Sequence, residues 1–247
     1  SAGGSTPSDS AVESKSLRFD SASDSKLTRT MTVAGNRKTF TISFWVKKNI
    51  DTTEHGAIAN VYHSGNDNDY FSIEFIKSGN NEDRLRVSGW NNSFRITTRM
   101  FRDPAAWYHI VVACDSTQVT ANDRVKVYVN GVQETDFVNT VNPSQNANFG
   151  WNMAHGHFIG EEHSSSDKLD GYLAEFYSID GTALTPATFG ETDSDTNQWK
   201  PKAAADIKAA VTFGEHGFYL PFSNDALASS FLDTGSGSRH TVTAVGN

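Results

Sequence analysis

The decamer TFTISFWVKK, Thr39–Lys48, decides the fold class. Phe40, Ile42, Phe44 and Val46 occupy every second position, so an extended chain turns all four to one face and leaves Ser43, Trp45 and Lys47 on the other. The pattern recurs outward along the chain. Phe71, Ile73 and Phe75 alternate in DYFSIEFIK, Leu85 and Val87 in RLRVS, and Tyr108, Ile110, Val112 and Cys114 in WYHIVVACD. Val125, Val127 and Val129 follow in RVKVYVNG, and Phe218, Leu220 and Phe222 in GFYLPF. Each run is bounded by Gly, Asn, Asp or Ser, as strands are. Asn130-Gly131 predicts a two-residue hairpin that returns through residues 132–137, because both central positions of that turn need positive φ. Helical signals are confined to Pro186–Phe189, with Thr185 as cap, and Ala203–Ala210. Residues 17–19 and 239–245 are expected as terminal strands lying beside each other. Many short strands and too few helices for βαβ units leave an all-β, two-sheet antiparallel sandwich with short connecting helices.

Composition narrows the function classes. The 247 residues carry 29 acidic and 21 basic side chains, a net charge of −8, which argues against binding phosphate backbones and hence nucleic acid. One cysteine excludes an internal disulfide and a four-thiolate zinc site. No apolar run reaches 18 residues, so no membrane insertion is expected. Residues 1–15, rich in Ser and Gly, read as a flexible lead joined to something upstream. Residues 16–247 then read as a single domain.

The order SLRFD, NRKTFTISFWVKK, FRDPAAWYHIVVACD, RVKVYVNGVQ, LDGYLAEFYSIDGTALTPATFGETD, QWKPK and GFYLPFS resembles the laminin-G-like, concanavalin A-like jelly-roll modules of marine bacteriophage virion proteins. The resemblance spans residues 16 to about 223. It implies a jelly roll, a place on the phage particle in a tail fibre or spike, and adhesion or glycan recognition. It also implies partners: a host-surface glycan or other virion proteins, in a symmetric homo-oligomer. A capsid or tail decoration held by protein contacts is the alternative. The fold alone names no ligand, since it carries lectins, glycosidases and structural modules.

The resembling glucanases place Glu, Asp and Glu at alternating positions facing one groove. Here Glu74 stands alone in its strand, Glu161 and Glu162 are adjacent and face oppositely, and Glu175 is separate, so no hydrolytic pair is expected. Cys114 and His109 are five apart in one strand and face oppositely, which excludes a thiol–imidazole nucleophile there. Asp67, Asn68 and Asp69, after Asn66, offer hard oxygens for calcium in a loop between strands, although none is required. Asp193 to Asn197 begins like an EF-hand loop but has Gln198 in place of glycine and Ala204 in place of the bidentate glutamate. His155, His157 and His163 could supply a two- or three-histidine site, and His155 and His157 share a face if extended, yet no carboxylate or thiolate joins them at metal-binding spacing. A glycan-contacting or packing role is expected of them instead. Trp90, Asn91 and Asn92 at a strand end, and Trp151 and Asn152 in a Gly- and Asn-rich loop, are the expected rim contacts for a sugar. Alternation also sends Trp45, Tyr70, Glu74, Arg84, Arg86, Arg95, Arg99 and Tyr128 away from the core. If their strands share one sheet, they make one aromatic and polar platform.

Overall fold

The computed structural model describes residues 15–23, 25–49, 55–63, 68–77, 79–163, 167–222 and 242–245. Their strands are β1 (Ser16–Phe19), β2 (Lys26–Thr30), β3 (Thr39–Lys48), β4 (Gly56–Tyr62), β5 (Tyr70–Phe75), β6 (Arg84–Ser88), β7 (Ser93–Met100) and β8 (Tyr108–Asp115). The series continues with β9 (Val125–Val129), β10 (Val132–Gln133), β11 (Phe137–Thr140), β12 (Gly156–Ile159) and β13 (Gly171–Asp180). It ends with β14 (Gly190–Thr192), β15 (Trp199–Pro201), β16 (Phe218–Leu220) and β17 (Thr243–Val245). The helix α1 is Ala204–Ala210.

The strands build two antiparallel sheets, as the periodicity requires. The first runs β1-β13-β3-β8-β9-β10, with β16 also paired to β13; the second runs β11-β7-β6-β5-β4-β12-β2-β17. Phe40, Ile42, Phe44 and Val46 are all fully buried between them. A one-residue slip of β3 would turn the four outward, and each such side chain gains about 1.5–3 kcal/mol from burial. Phe71, Ile73, Leu85, Val87, Ile110, Val112, Val125, Val127 and Cys114 meet them in one cluster. Burial pushes the Cys114 thiol up, so it packs as a small apolar group.

The outer face of the first sheet is covered as well. Val111, Tyr128, Tyr177, Ile179 and Tyr219 form a second cluster with Phe189, Ile207, Val211 and Phe213 from the 184–213 segment. That segment holds a 3-10 turn at Pro186–Thr188, led by proline without a side-chain cap from Thr185, the β14–β15 hairpin and α1. No helix among the described residues is long and apolar enough to cross a membrane.

Three sequence expectations need correction. The Asn130-Gly131 turn forms, with φ of 47° and 85°, but its return strand is only Val132–Gln133. The chain then crosses to the second sheet as β11, where Phe137 packs against the core and Arg99 binds Glu134 at 2.7 Å. β1 and β17 are not neighbours: β1 pairs with β13 and β17 with β2, on different sheets. The single platform also dissolves. Trp45 and Tyr128 belong to the first sheet, while Tyr70, Glu74, Arg84 and Arg86 belong to the second. Arg95 is buried on Val87's side of a register shift, bonded to Asn142 Oδ1 at 2.9 Å, rather than facing out.

Candidate functional site

The outer face of the second sheet carries an aromatic cluster at one corner. Tyr62 ends β4 directly opposite Tyr70, which starts β5. The next turn, closed by the Gly89 N–H donating to Asn92 O at 2.9 Å, holds Trp90 over both rings. The Trp90 centroid lies 5.3 Å from Tyr62 and 5.6 Å from Tyr70. His163 stacks on Tyr62 at 3.9 Å, and burial lowers its pKa, which favours the neutral ring. The Tyr70 hydroxyl donates to Glu162 Oε1 at 3.4 Å. Burial, then the negative charges of Glu74 and Glu162, push that phenol up, so it stays a donor. Trp90 is 42% exposed, whereas Tyr70 beneath it is 8% exposed. An indole held from below and open above offers a flat apolar face of the kind on which sugar C–H groups stack.

A polar cleft of about 620 Å³ opens beside this cluster. Arg37, Asn68, Asp69, Asn92, Asn142 and Asn148 line it. Two of them tie the cleft to the aromatics through the chain itself: Asp69 precedes Tyr70, and Asn92 lies two residues past Trp90. Arg37 donates through Nε to Phe149 O at 2.9 Å and reaches Asp69 Oδ1 at 3.5 Å. Amides, a guanidinium and a carboxylate around a cleft present both donors and acceptors to hydroxyl groups.

The remaining expected residues separate. Asp67 lies outside the described residues. Asn68 gives its backbone carbonyl to Arg37, and Asp69 is flanked by Arg37 and by His63 at 3.6 Å. Among the described residues no group of three His, Cys, Asp or Glu side chains converges as metal ligands would. Asn91 is exposed on the Trp90 turn. His155 is half-buried beside His63 at 4.8 Å, and its backbone carbonyl accepts from His157 Nδ1 at 3.0 Å.

Trp151, Asn152 and His157 are not rim residues. Trp151 is fully buried, its Nε1 donating to Ser178 Oγ of the opposite sheet at 3.1 Å. The cause is Gly150, where an added Cβ would sit 2.4 Å from the Tyr70 carbonyl carbon, so this loop backbone lies directly on β5 and sends its tryptophan inward. Asn152, with φ of 63°, donates Nδ2 to Asn36 O and Asp180 Oδ1 and its backbone N–H to His157 Nε2. His157 packs edge-on against Trp151 at 4.8 Å. All three are structural.

The profile of the concanavalin A-like lectin/glucanases superfamily, laminin G type, matches residues 20–188. The chain belongs to this superfamily. None of the curated proteins matches it. Among solved structures, the lectin/glucanase domain is similar to a heptameric SAP-like pentraxin from Limulus polyphemus at 15% identity and a TM-score of 0.50, covering 76% of this chain and 92% of that one. It is also similar to mouse laminin alpha1 domains LG4-5, at 16% identity and TM-score 0.46, with 83% and 48% covered. Domain 4 of the arabinanase AbnA from Geobacillus stearothermophilus, in complex with arabinotriose, gives 20% identity and TM-score 0.41, with 62% and 65% covered.

Two buried carboxylates of this lectin/glucanase domain are held in ion pairs. Glu74 is 1% exposed and paired to Arg86 at 2.6 Å. Burial raises its pKa, opposed by Arg86. Glu161 is buried against Lys26 at 2.6 Å. Trp199 plugs the β14–β15 hairpin: its Nε1 donates to His109 Nδ1 at 2.9 Å, which leaves His109 Nε2–H to donate to Ser43 Oγ at 2.9 Å. An added Cβ at Gly190 would meet that indole at 2.6 Å. Gly190→Ala is therefore expected to displace Trp199, costing about 1–3 kcal/mol, read by urea denaturation and a shift in tryptophan emission.

Sequence reasoning missed Tyr62, and it weighed His163 only as a metal ligand beside His155 and His157, whereas the ring stacks on Tyr62. β4 reads GAIANVY, where small residues hide the alternation, although the β-branched Ile58 and Val61 and the terminal tyrosine were available signals.

Proposed function

We propose that this domain is a non-catalytic carbohydrate-binding module that holds a glycan at the corner where Trp90 meets the Asn92–Asp69 cleft. The observation that carries the reading is the braced, upward-open Trp90 indole next to a cleft of amides and Arg37. Membership of a superfamily named for its lectins and glucanases supports it. The engagement of Glu74 by Arg86 and of Glu161 by Lys26 supports binding without hydrolysis. The setting we propose is the surface of a phage particle, in a tail fibre or spike, which rests on the sequence motifs. Calcium is not required in this reading, because Arg37 and His63 flank Asp69.

A polysaccharide array is expected to show saturable binding that Trp90→Ala weakens ten-fold or more. Loss of one stacking contact of about 1.4 kcal/mol suffices for that factor. Folding stability should fall by only about 1–2 kcal/mol, the worth of the ring contacts to Tyr62 and Tyr70, and the variant should stay folded. Binding should persist in EDTA, and incubation should release no reducing ends. An empty array with folded protein would shift the reading to a decoration held by protein contacts.

A further inference from the structure

On the opposite side of the sandwich, three tryptophans converge on a carboxyl group. Trp45 from β3, Trp107 before β8 and Trp199 from β15 wall a cleft of about 260 Å³ on the outer face of the first sheet, with Glu175, Lys200 and Pro201 completing it. The walls are held rigidly. The neutral His109 ring lies between two of them, 5.0 Å from Trp45 and 6.0 Å from Trp199, with interplanar angles of 18° and 23°. Gly131 and Gly190 press on the far indole, since a Cβ at either would come within 2.7 Å of it. The second apolar cluster beneath α1 includes none of these tryptophans; the 184–213 segment supplies one wall of the cleft through Trp199, Lys200 and Pro201, and all three indoles keep partial exposure.

Glu175 is the unusual member. It sits at a register shift of β13, between Ala174 and Tyr177, with φ of 50°. A non-glycine residue in the left-handed region inside a strand is disfavoured, and such bulges serve to re-aim a side chain. Here the re-aimed carboxyl is 5% exposed and lines the cleft. Its Oε2 accepts from the Tyr177 hydroxyl at 3.0 Å and the Tyr219 hydroxyl at 2.6 Å. Oε1 receives no hydrogen bond from any described residue. Packing alone would not require a buried carboxyl with one satisfied and one vacant oxygen.

We propose that this cleft is a second saccharide site, taking one pyranose unit of a neutral glycan, with a ring face on the indoles and a hydroxyl donating to Glu175 Oε1. Neutrality follows from the charges present. Lys200 is engaged by Asp193 at 2.8 Å and Glu191 at 3.8 Å, so the cation nearest the cleft is already compensated, and a carboxylate or sulfate would face Glu175. The site stands on its own residues, so it can fail while the Trp90 corner holds, and the reverse.

The test uses the full chain carrying Trp90→Ala, which removes the corner site. Methyl glucoside, methyl mannoside, N-acetylglucosamine and neutral β-glucan and xylan hexasaccharides serve as probes, read by saturation-transfer NMR and calorimetry. One-site binding is expected, with transfer strongest at ring C–H protons. Glu175→Gln should weaken it at least ten-fold, and Trp107→Ala should abolish it while Trp107→Phe restores part. Near-UV circular dichroism checks that each variant is folded. Absence of binding by the Trp90→Ala protein to every probe would overturn the proposal. So would binding that Trp107→Ala and Glu175→Gln leave unchanged, and so would concentration-dependent dimerisation lost in Trp107→Ala, which would assign the cleft to a second copy.

Discussion

Trp151→Ala will cost about 3–5 kcal/mol of folding stability, the range for emptying a large aromatic site in a core. The indole is fully buried, lies 6.1 Å from Phe71 and 4.8 Å from His157, and spans the sandwich through its bond to Ser178. Removal leaves both a cavity and a hydroxyl without its donor. A domain of this kind has about 5–15 kcal/mol in total, so the variant should unfold far earlier in urea. Trp90→Ala is the control, a half-exposed tryptophan with a smaller effect on stability and a large one on binding. Equal urea midpoints for the Trp151 variant and the parent would sink the assignment.

Acid will unfold the domain through two buried imidazoles. Burial pushes His109 and His157 down to about 3. The hydrogen bond from His157 to the His155 carbonyl opposes this, while the positive charges of Arg29, His155 and His216 add to it. Each folded-state value lies below the unfolded one of about 6.5, so the stability each contributes is fully present above that pH. It is lost as pH falls toward the folded value, at about 1.4 kcal/mol per pH unit for each ring. Glu74 and Glu175 have the opposite sign: burial raises both, so folding favours their protonated forms and they gain stability as pH falls toward 4.5. The steepest loss is therefore expected between pH 4.5 and 3, where only the histidines among these four still change. Urea titrations at successive pH values check this, and His157→Gln should reduce the slope by about one proton's worth. An unchanged slope in that variant would refute the role given to His157.

Much of the fold was legible because period 2 is a strong signal wherever a strand buries one face, as β3, β5, β6 and β9 do. Sheet membership was not. β3 lies between β8 and β13, and nothing local in Thr39–Lys48 distinguishes that placement from one beside β5. Alternation also marks only what faces away from the main core, which is not the same as solvent. Tyr128 and Trp199 lie under or within the 184–213 segment, while Trp90 is open. Trp151 was misread for a related reason: its Gly and Asn neighbours do make a loop, but close backbone approach at Gly150 turns the side chain inward. Glu175 gave no signal at all, because its orientation depends on a bulge set by pairing with β3.

The placement of β13 also governs how the chain comes to be folded as it is made. Leu173 sits between Leu17 on one side and Val46 on the other, so a late-synthesised strand divides two early ones. Phe40, Ile42 and Phe44 leave the ribosome well before β13 exists, and at about 5–20 residues per second they wait several seconds for that neighbour. Pairing across such separations is intrinsically slow, in the range of milliseconds to seconds for all-β topologies. The nascent domain thus spends about half of the synthesis of these residues with an aromatic strand unshielded on one edge, the kind of exposure that favours aggregation.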